Sequence, residues 1–466
     1  MAITVNSLNS MMLLNILNRT SINQSNTLTQ MSTGSMINSG KDNPAGLIAM
    51  RTLETEVRAV DASIANNQRT NAILNVADKS LNEVASLINE IKDLAVSSTN
   101  ETGISAAELA ANQSQVDSAL AAIDRIIGTT QFNGQKLLDG SLGIVTTGVT
   151  AADITDLKVY SRGTADLSLS VELQQSASQA EVEIATNSAT DDTAIKVQGK
   201  TGAAVFEIAA GEALSAVAAK INAATAQTGV TASSNGAHLN LLSSDYGEDA
   251  FVRVTVVSTT TTDASFSAQS DTGTDAKVDV NGQSAAVDGK TVSYNANGVS
   301  LSFNITDTFN ESAVGTSSTF TVKAEGGATF QLGTSSQTRA TIGIDSLYTH
   351  MLGDGAYGYL ESLGGGKSND LTTDPNKAAI IATKAAEQLA TIQGRLGGFQ
   401  KFQVDTALNQ QTATLESLTA ALSTIRDVDY AQASAEMNRQ NVLMQAGMSL
   451  LGLANQQSAQ VLSLLA

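Results

Sequence analysis

The stretch LNVADKSLNEVASLINEIKDLA, residues 74–95, decides the fold. Its apolar side chains Leu74, Ala77, Leu81, Val84, Ile88, Ile91 and Ala95 follow one another at alternating steps of three and four. A helical turn of 3.6 residues brings such positions onto one line, and a sustained seven-residue repeat is the seam of a coiled coil. Just upstream, Asn43-Pro44 pairs an N-cap residue with proline at the first helical position. There the missing N–H forfeits no hydrogen bond, and the fixed φ already suits a helix. A helix from near Pro44 to Val96 would be about 80 Å long, beyond the usual globular length.

Outward from that seam the pattern recurs. Val116, Leu120, Ile123 and Ile127 take up the spacing after a break at Thr99–Ser105. In QFNGQKLLDG, Asn133 and Gly134 stand where a type I′ hairpin needs positive φ twice. The C-terminal third carries Val404, Leu408, Gln411, Leu415, Leu418, Leu422 and Ile425, a second seam with Gln411 as a polar interruption that sets register at a cost in stability. The other proline, Pro375, follows Asp374 and marks a second helix start. Between the seams, about 141–340, lie alternating stretches such as FVRVTVVS, AKVDVNGQ and STFTVKAE, which read as strands. One helix interrupts them, with Leu214, Val217, Ala218 and Ile221 on one face. From Val171 to Phe330 there are 18 acidic and 7 basic side chains, the mark of a solvated outer surface. The expected class is a mainly α rod, built of long antiparallel coiled-coil helices from both termini, with an inserted β-rich α+β central region. Helix is expected to resume from about 341.

The ends differ from everything between them. From Met1 to Gly40 the only charged side chain is Arg19, and from Asn441 to Ala466 there is none, in a chain of formal net charge -19. Uncharged amphipathic ends suit burial against each other and against further copies of the chain. The residues expected to carry helix and subunit packing are Leu8, Met12, Leu74, Leu81, Val84, Ile88, Ile91, Leu415, Leu418, Leu422, Ile425, Leu451, Leu462 and Leu465.

Composition removes other classes. With no cysteine, thiol chemistry and disulfides are excluded. A pI near 4.4 argues against nucleic acid. The N-terminus lacks a basic n-region, so a cleaved signal peptide is not expected. The most apolar window near the C-terminus, Val442–Ala454, is 13 residues, too short to insert across a membrane. His238 and His350 belong to no metal or triad pattern, and DTGTDAKVDVNG, with Asp271, Asp275 and Asp279, lacks the spacing of a calcium loop. GGGKS at 364–368 follows no strand and reads as a flexible joint. No catalytic, cofactor-binding or metal residue is assigned.

The start MAITVNSLNS, the segment MSTGSMINSGKDNPAGLIA, the helix SLNEVASLINEIKDLAVSSTN, the hairpin QFNGQKLLDG and the end IRDVDYAQASAEMNRQNVLMQAGMSLLGLANQQSAQVLSLLA together resemble bacterial flagellin. The stretch from Ile195 to Ser244 resembles the small β-α-β motif inserted in many flagellins. The resemblance implies an inner-tube helix at 1–42, a rod half at 43–170, a surface-exposed variable insertion at 171–327 with the β-α-β motif at about 194–256, a second rod half at 328–425 and an inner-tube helix at 426–466. It implies a structural filament subunit for swimming motility, without enzymatic activity, extracellular, exported by the flagellar type III route without a cleaved signal. Its implied partners are copies of itself, an export chaperone at the C-terminus, the filament cap and the hook-junction proteins. It also implies a surface at Ile88, Glu90, Asp93 and Leu94 facing the vertebrate innate immune receptor for flagellin, with weak activation because strong agonists carry Arg where this chain has Glu90. The alternatives are a hook–filament junction protein and, more remotely, a secreted enzyme on a flagellin frame.

Overall fold

The computed structural model describes residues 2–100, 103–185, 192–259, 266–355 and 357–465, with the side-chain surroundings of 2–9, 185, 258–259, 455 and 457–465 left outside the description. The chain divides into two compact units.

The first unit comprises 1–68, 331–338 and 405–466. It contains helix α1 (Ala2–Thr33), the start of α2 (Pro44–Ser98), α6 (Thr406–Arg426) and α7 (Tyr430–Leu465). The Asn43 carboxamide oxygen accepts from the Gly46 amide at 2.9 Å, capping α2 as the Asn-Pro pair requires. The loops after α1 and α6 are tied together, with Met36 N donating to Arg426 O at 2.6 Å and Val428 N to Gly34 O at 3.1 Å. α2 carries a polar notch here. Ser63 and Asn67 are buried, and both donate to the Leu332 carbonyl, at 3.2 and 3.0 Å. Further along, Gln411 is half-buried, and its side-chain oxygen has no partner among the described residues.

The second unit comprises 69–330 and 339–404. Its helical part holds the rest of α2, then α3 (Ala106–Thr129) and α5 (Pro375–Phe399). Ser105 and Glu108 cap α3 reciprocally, and Asp374 accepts from Lys377 N at 3.0 Å ahead of Pro375. The seam residues Leu74, Leu81, Val84, Ile88 and Ile91 are buried, as are Val116, Ile123 and Ile127 of α3. Asn133 and Gly134 both take positive φ, at 51° and 85°, between the paired strands Gln131–Phe132 and Gln135–Lys136.

Two apolar β cores follow. One gathers Val182, Ile195, Val197, Val217, Ile221, Leu239, Leu241 and Val254 beneath helix α4 (Leu214–Ala223). The other gathers Ile154, Val159, Leu169, Val171, Val278, Leu301, Phe303 and Phe320. Phe303 and Phe320 meet edge to face there, with centroids 6.2 Å apart.

Three expectations change. The expected boundary at 170/171 falls inside the continuous strand Leu167–Gln175, whose Leu169 and Val171 share one core. Helix does not resume at 341, because short strands Arg339–Ile342 and Ile344–Ser346 come first and helix returns at Pro375. The glycine run is pinned and is no flexible joint. Gly365 N donates to Asp117 at 2.7 Å, Gly366 N donates to Asp370 at 3.0 Å, and Gln113 of α3 bonds both Leu363 O and Leu371 N.

Candidate assembly surface

Within the first unit the terminal helices meet along one stripe each. On α1 the sheltered positions include Leu13, Leu17, Thr20, Gln24 and Thr27; on α7 they include Ala433, Met437, Gln440, Met444, Gly447, Leu451 and Ala454. Both sets step by three and four, so each forms a line down its helix. The contacts pair Met31 with Tyr430, whose hydroxyl donates to the Met31 carbonyl at 3.1 Å, and Gln24 with Asn441 through a 2.6 Å side-chain hydrogen bond. Leu17 meets Gly447, where an added Cβ would stand 2.7 Å from a Leu17 methyl. Much of this stripe is amide and hydroxyl, so hydrogen bonds as well as apolar contact align the helices.

Outside the stripe, α1 exposes Met11, Met12, Leu14, Ile16 and Ile22, and α7 exposes Val442, Leu443, Met448, Leu450 and Leu453. Met12 is 68% exposed and Leu450 55%. Helix faces in contact with water normally carry charge, yet Arg19 is the single charged side chain among the apolar, amide and hydroxyl residues of α1. Met11, Leu14, Asn15, Asn18, Arg19 and Ile22 line a shallow hollow of about 340 Å³ on that helix. Covering one such Leu or Met stabilises by about 1.5–3 kcal/mol before the cost of ordering is counted. A continuous set of them marks an interface.

Among the residues singled out from the sequence, Leu74, Leu81, Val84, Ile88, Ile91 and Leu422 are buried, while Leu415, Leu418, Ile425 and Leu451 are half-buried. Leu8, Leu462 and Leu465 lie outside the described side chains. Met12 lies outside the stripe and is mostly exposed. Ile88 cannot face a receptor, because it sits in the seam with 0% exposure. Glu90 and Asp93 are exposed and Leu94 is half-buried. Sequence reasoning missed the polar positions Ser63, Asn67 and Thr70, which extend the buried line of α2 in the same three-four steps. It also missed the outward row from Met11 to Ile22. Its signal was present, because apolar residues occur on more of the helix than one stripe can bury.

The polar side chains set aside from the sequence have structural occupations. His238 stands 2.7 Å from Glu183 and His350 stacks on Tyr348. Asp271 accepts from Glu181 N at 2.8 Å, while Asp275 accepts from Glu248 N at 3.0 Å and Gly289 N at 2.9 Å. Among the described residues no cluster of three or more His, Asp or Glu could hold a metal, and no helix is long and apolar enough to cross a membrane.

Comparison with known proteins bears on what such a surface serves. The family profile described as the bacterial flagellin N-terminal helical region matches residues 5–142, and the profile of the C-terminal helical region matches 380–465. The flagellin hook IN motif matches 175–245. A flagellin of Clostridium tyrobutyricum is 27% identical over 450 residues, covering 95% of this chain and 96% of that one. A flagellin of Salmonella rubislaw is 28% identical over 499 residues, covering 99% of both. Among solved structures, the flagellar junction protein FlgL from Legionella pneumophila aligns with 81% of this chain and 99% of its own, at 10% identity and a TM-score of 0.30.

Proposed function

This chain belongs to the bacterial flagellin family, and we propose that the uncharged apolar face of α1 and α7 is the surface through which it polymerises. It is a structural subunit of the flagellar filament, an extracellular part of the flagellum. The observation that carries the proposal is the coincidence of two facts on the same helices: large apolar side chains stand exposed, and charge is almost absent.

In this reading α1 and α7 form an antiparallel coiled coil that lies inward in the polymer. The acidic β region faces outward, where its carboxylates stay hydrated and keep neighbouring filaments apart. Its limits are best set at the hydrogen-bonded pair Gly143 and Gly327 rather than at 171–327. The uncharged, apolar stretch of α7 from Asn441 onward is a hazard before assembly, which suits an export chaperone that covers it and a cap that hands it over. The chemistry is association only, with no bond made or broken.

Removing Leu443–Ala466 tests this. The shortened chain should stay folded and soluble, and electron microscopy under polymerising salt should show no filaments where the full chain gives filaments of uniform width. Normal filaments from the shortened chain would sink the proposal.

A further inference from the structure

The second unit carries a cavity of about 440 Å³, open to solvent past Met351 and Thr391, that the filament role leaves without a purpose. Its walls come from the strand Ile154–Ser161, the segment Asp345–Met351 and helix α5. Two cations and two carboxylates line it: Lys158, Arg395, Asp156 and Asp345.

Their pairing is incomplete. Asp156 is engaged, accepting from the Tyr359 hydroxyl and from the Asn304 amide, each at 3.3 Å. Arg395 lies 3.4 Å above the Tyr160 ring and donates to the Gly343 carbonyl at 3.2 Å, which fixes its plane. Lys158 and Asp345 attract each other, and Arg395 also acts on Asp345, yet neither side chain makes a hydrogen bond or an ion pair within 4 Å among the described residues. An ammonium and a carboxylate that line one cavity without meeting leave room for something between them. Leu157, Leu347, Met351 and Ile392 give the rest of the wall an apolar patch, beside the polar Ser302, Ser346, Gln388 and Thr391.

We propose that this cavity binds a small zwitterion with an aliphatic tail, an α-amino acid of the leucine or methionine kind. The carboxylate would lie toward Lys158 and Arg395, the ammonium toward Asp345, and the tail on the apolar wall. The formal charge of the lining is balanced, so a bipolar ligand matches it and a simple anion or cation does not. The volume falls within the range of small-molecule sites, about 300–1,000 Å³. Burial pushes the Lys158 amine down and the Asp345 carboxyl up from their ordinary values. A ligand that supplies both counter-charges relieves both penalties.

The test is calorimetric titration of the full chain, as monomer, with L-leucine, 4-methylpentanoate and 3-methylbutylamine. The last two keep the tail and lose one charge each. Leucine should bind with a Kd of about 1 mM or tighter, and each single-charge probe at least roughly ten-fold more weakly. In Asp345→Asn the preference for leucine over 4-methylpentanoate should vanish, and in Lys158→Met the preference over the amine. No saturable leucine binding, or equal binding of all three probes, overturns the proposal. So does an unchanged preference in either variant once circular dichroism shows it folded. Should a variant fail to fold, the probe series on the unmodified chain still decides.

Discussion

Leu81 has 0% exposure at the middle of the α2 seam, and Met12, of similar size, stands 68% exposed on α1. Truncating Leu81 to alanine removes buried methyls and leaves a hole that a helix seam cannot readily close, so we expect a loss of about 2–5 kcal/mol in urea unfolding. Met12→Ala should change monomer stability by less than about 0.5 kcal/mol. The same pair of variants separates folding from assembly, because only Met12→Ala should leave the monomer intact while weakening association. Asp345 gives a pH signature. Burial holds its carboxyl above the ordinary range, while the Arg395 and Lys158 charges only partly offset it. Between the unfolded and folded pKa values the folded state binds the extra proton, so stability falls as pH rises through that window. Asp345→Asn should therefore be more stable than the unmodified chain at neutral pH. The gap should close as pH falls to about 4, the unfolded carboxylate value. A difference that stays constant with pH would show that the carboxyl titrates alike in both states.

At the scale of elements, Gly143 and Gly327 are the limits we propose for the inserted β region. Gly327 N donates to Gly143 O at 3.0 Å, and a Cβ on Gly326, already at φ +77°, would stand 2.3 Å from that same oxygen. Deleting 144–326 joins two points already in contact, so the helical part of the second unit should keep its circular dichroism and cooperative unfolding. Deleting 171–327 instead cuts the strand Leu167–Gln175 and leaves Ile154 and Val159 without their core, and that chain should aggregate. If both deletions behave alike, Gly143 and Gly327 are not the limits of the insertion. The helices were legible in the sequence because their signals are local: heptad steps, Asn43-Pro44, Asp374-Pro375, and the Asn133-Gly134 turn. The β limits were not legible. The strand Ile154–Ser161 pairs with Val299–Ile305, and a partner so distant leaves no mark in a short window. The notch on α2 was hidden for a related reason. Ser63 and Asn67 break an apolar pattern, and only the Leu332 carbonyl, brought from far along the chain, explains their burial.

For the whole molecule, the scarcity of charge at both ends is readable from composition, and composition alone points to association. Which side of each helix faces outward is not readable, since apolar residues on α1 and α7 exceed what one stripe can bury and either stripe could have formed the pair. The fold pairs Leu17 with Gly447 and leaves Met12 and Leu450 outside. The central claim is that this outward face is the contact between copies. Met12→Asp and Leu450→Asp test it most directly, since both positions are solvated in the monomer and buried in the proposed polymer. An unpaired carboxylate in an apolar contact forfeits several kcal/mol at every copy. Electron microscopy of each variant under polymerising salt, beside the unmodified chain, is the measurement. The account predicts folded monomers with unchanged circular dichroism and no filaments; filaments of normal width and yield from both variants would contradict it.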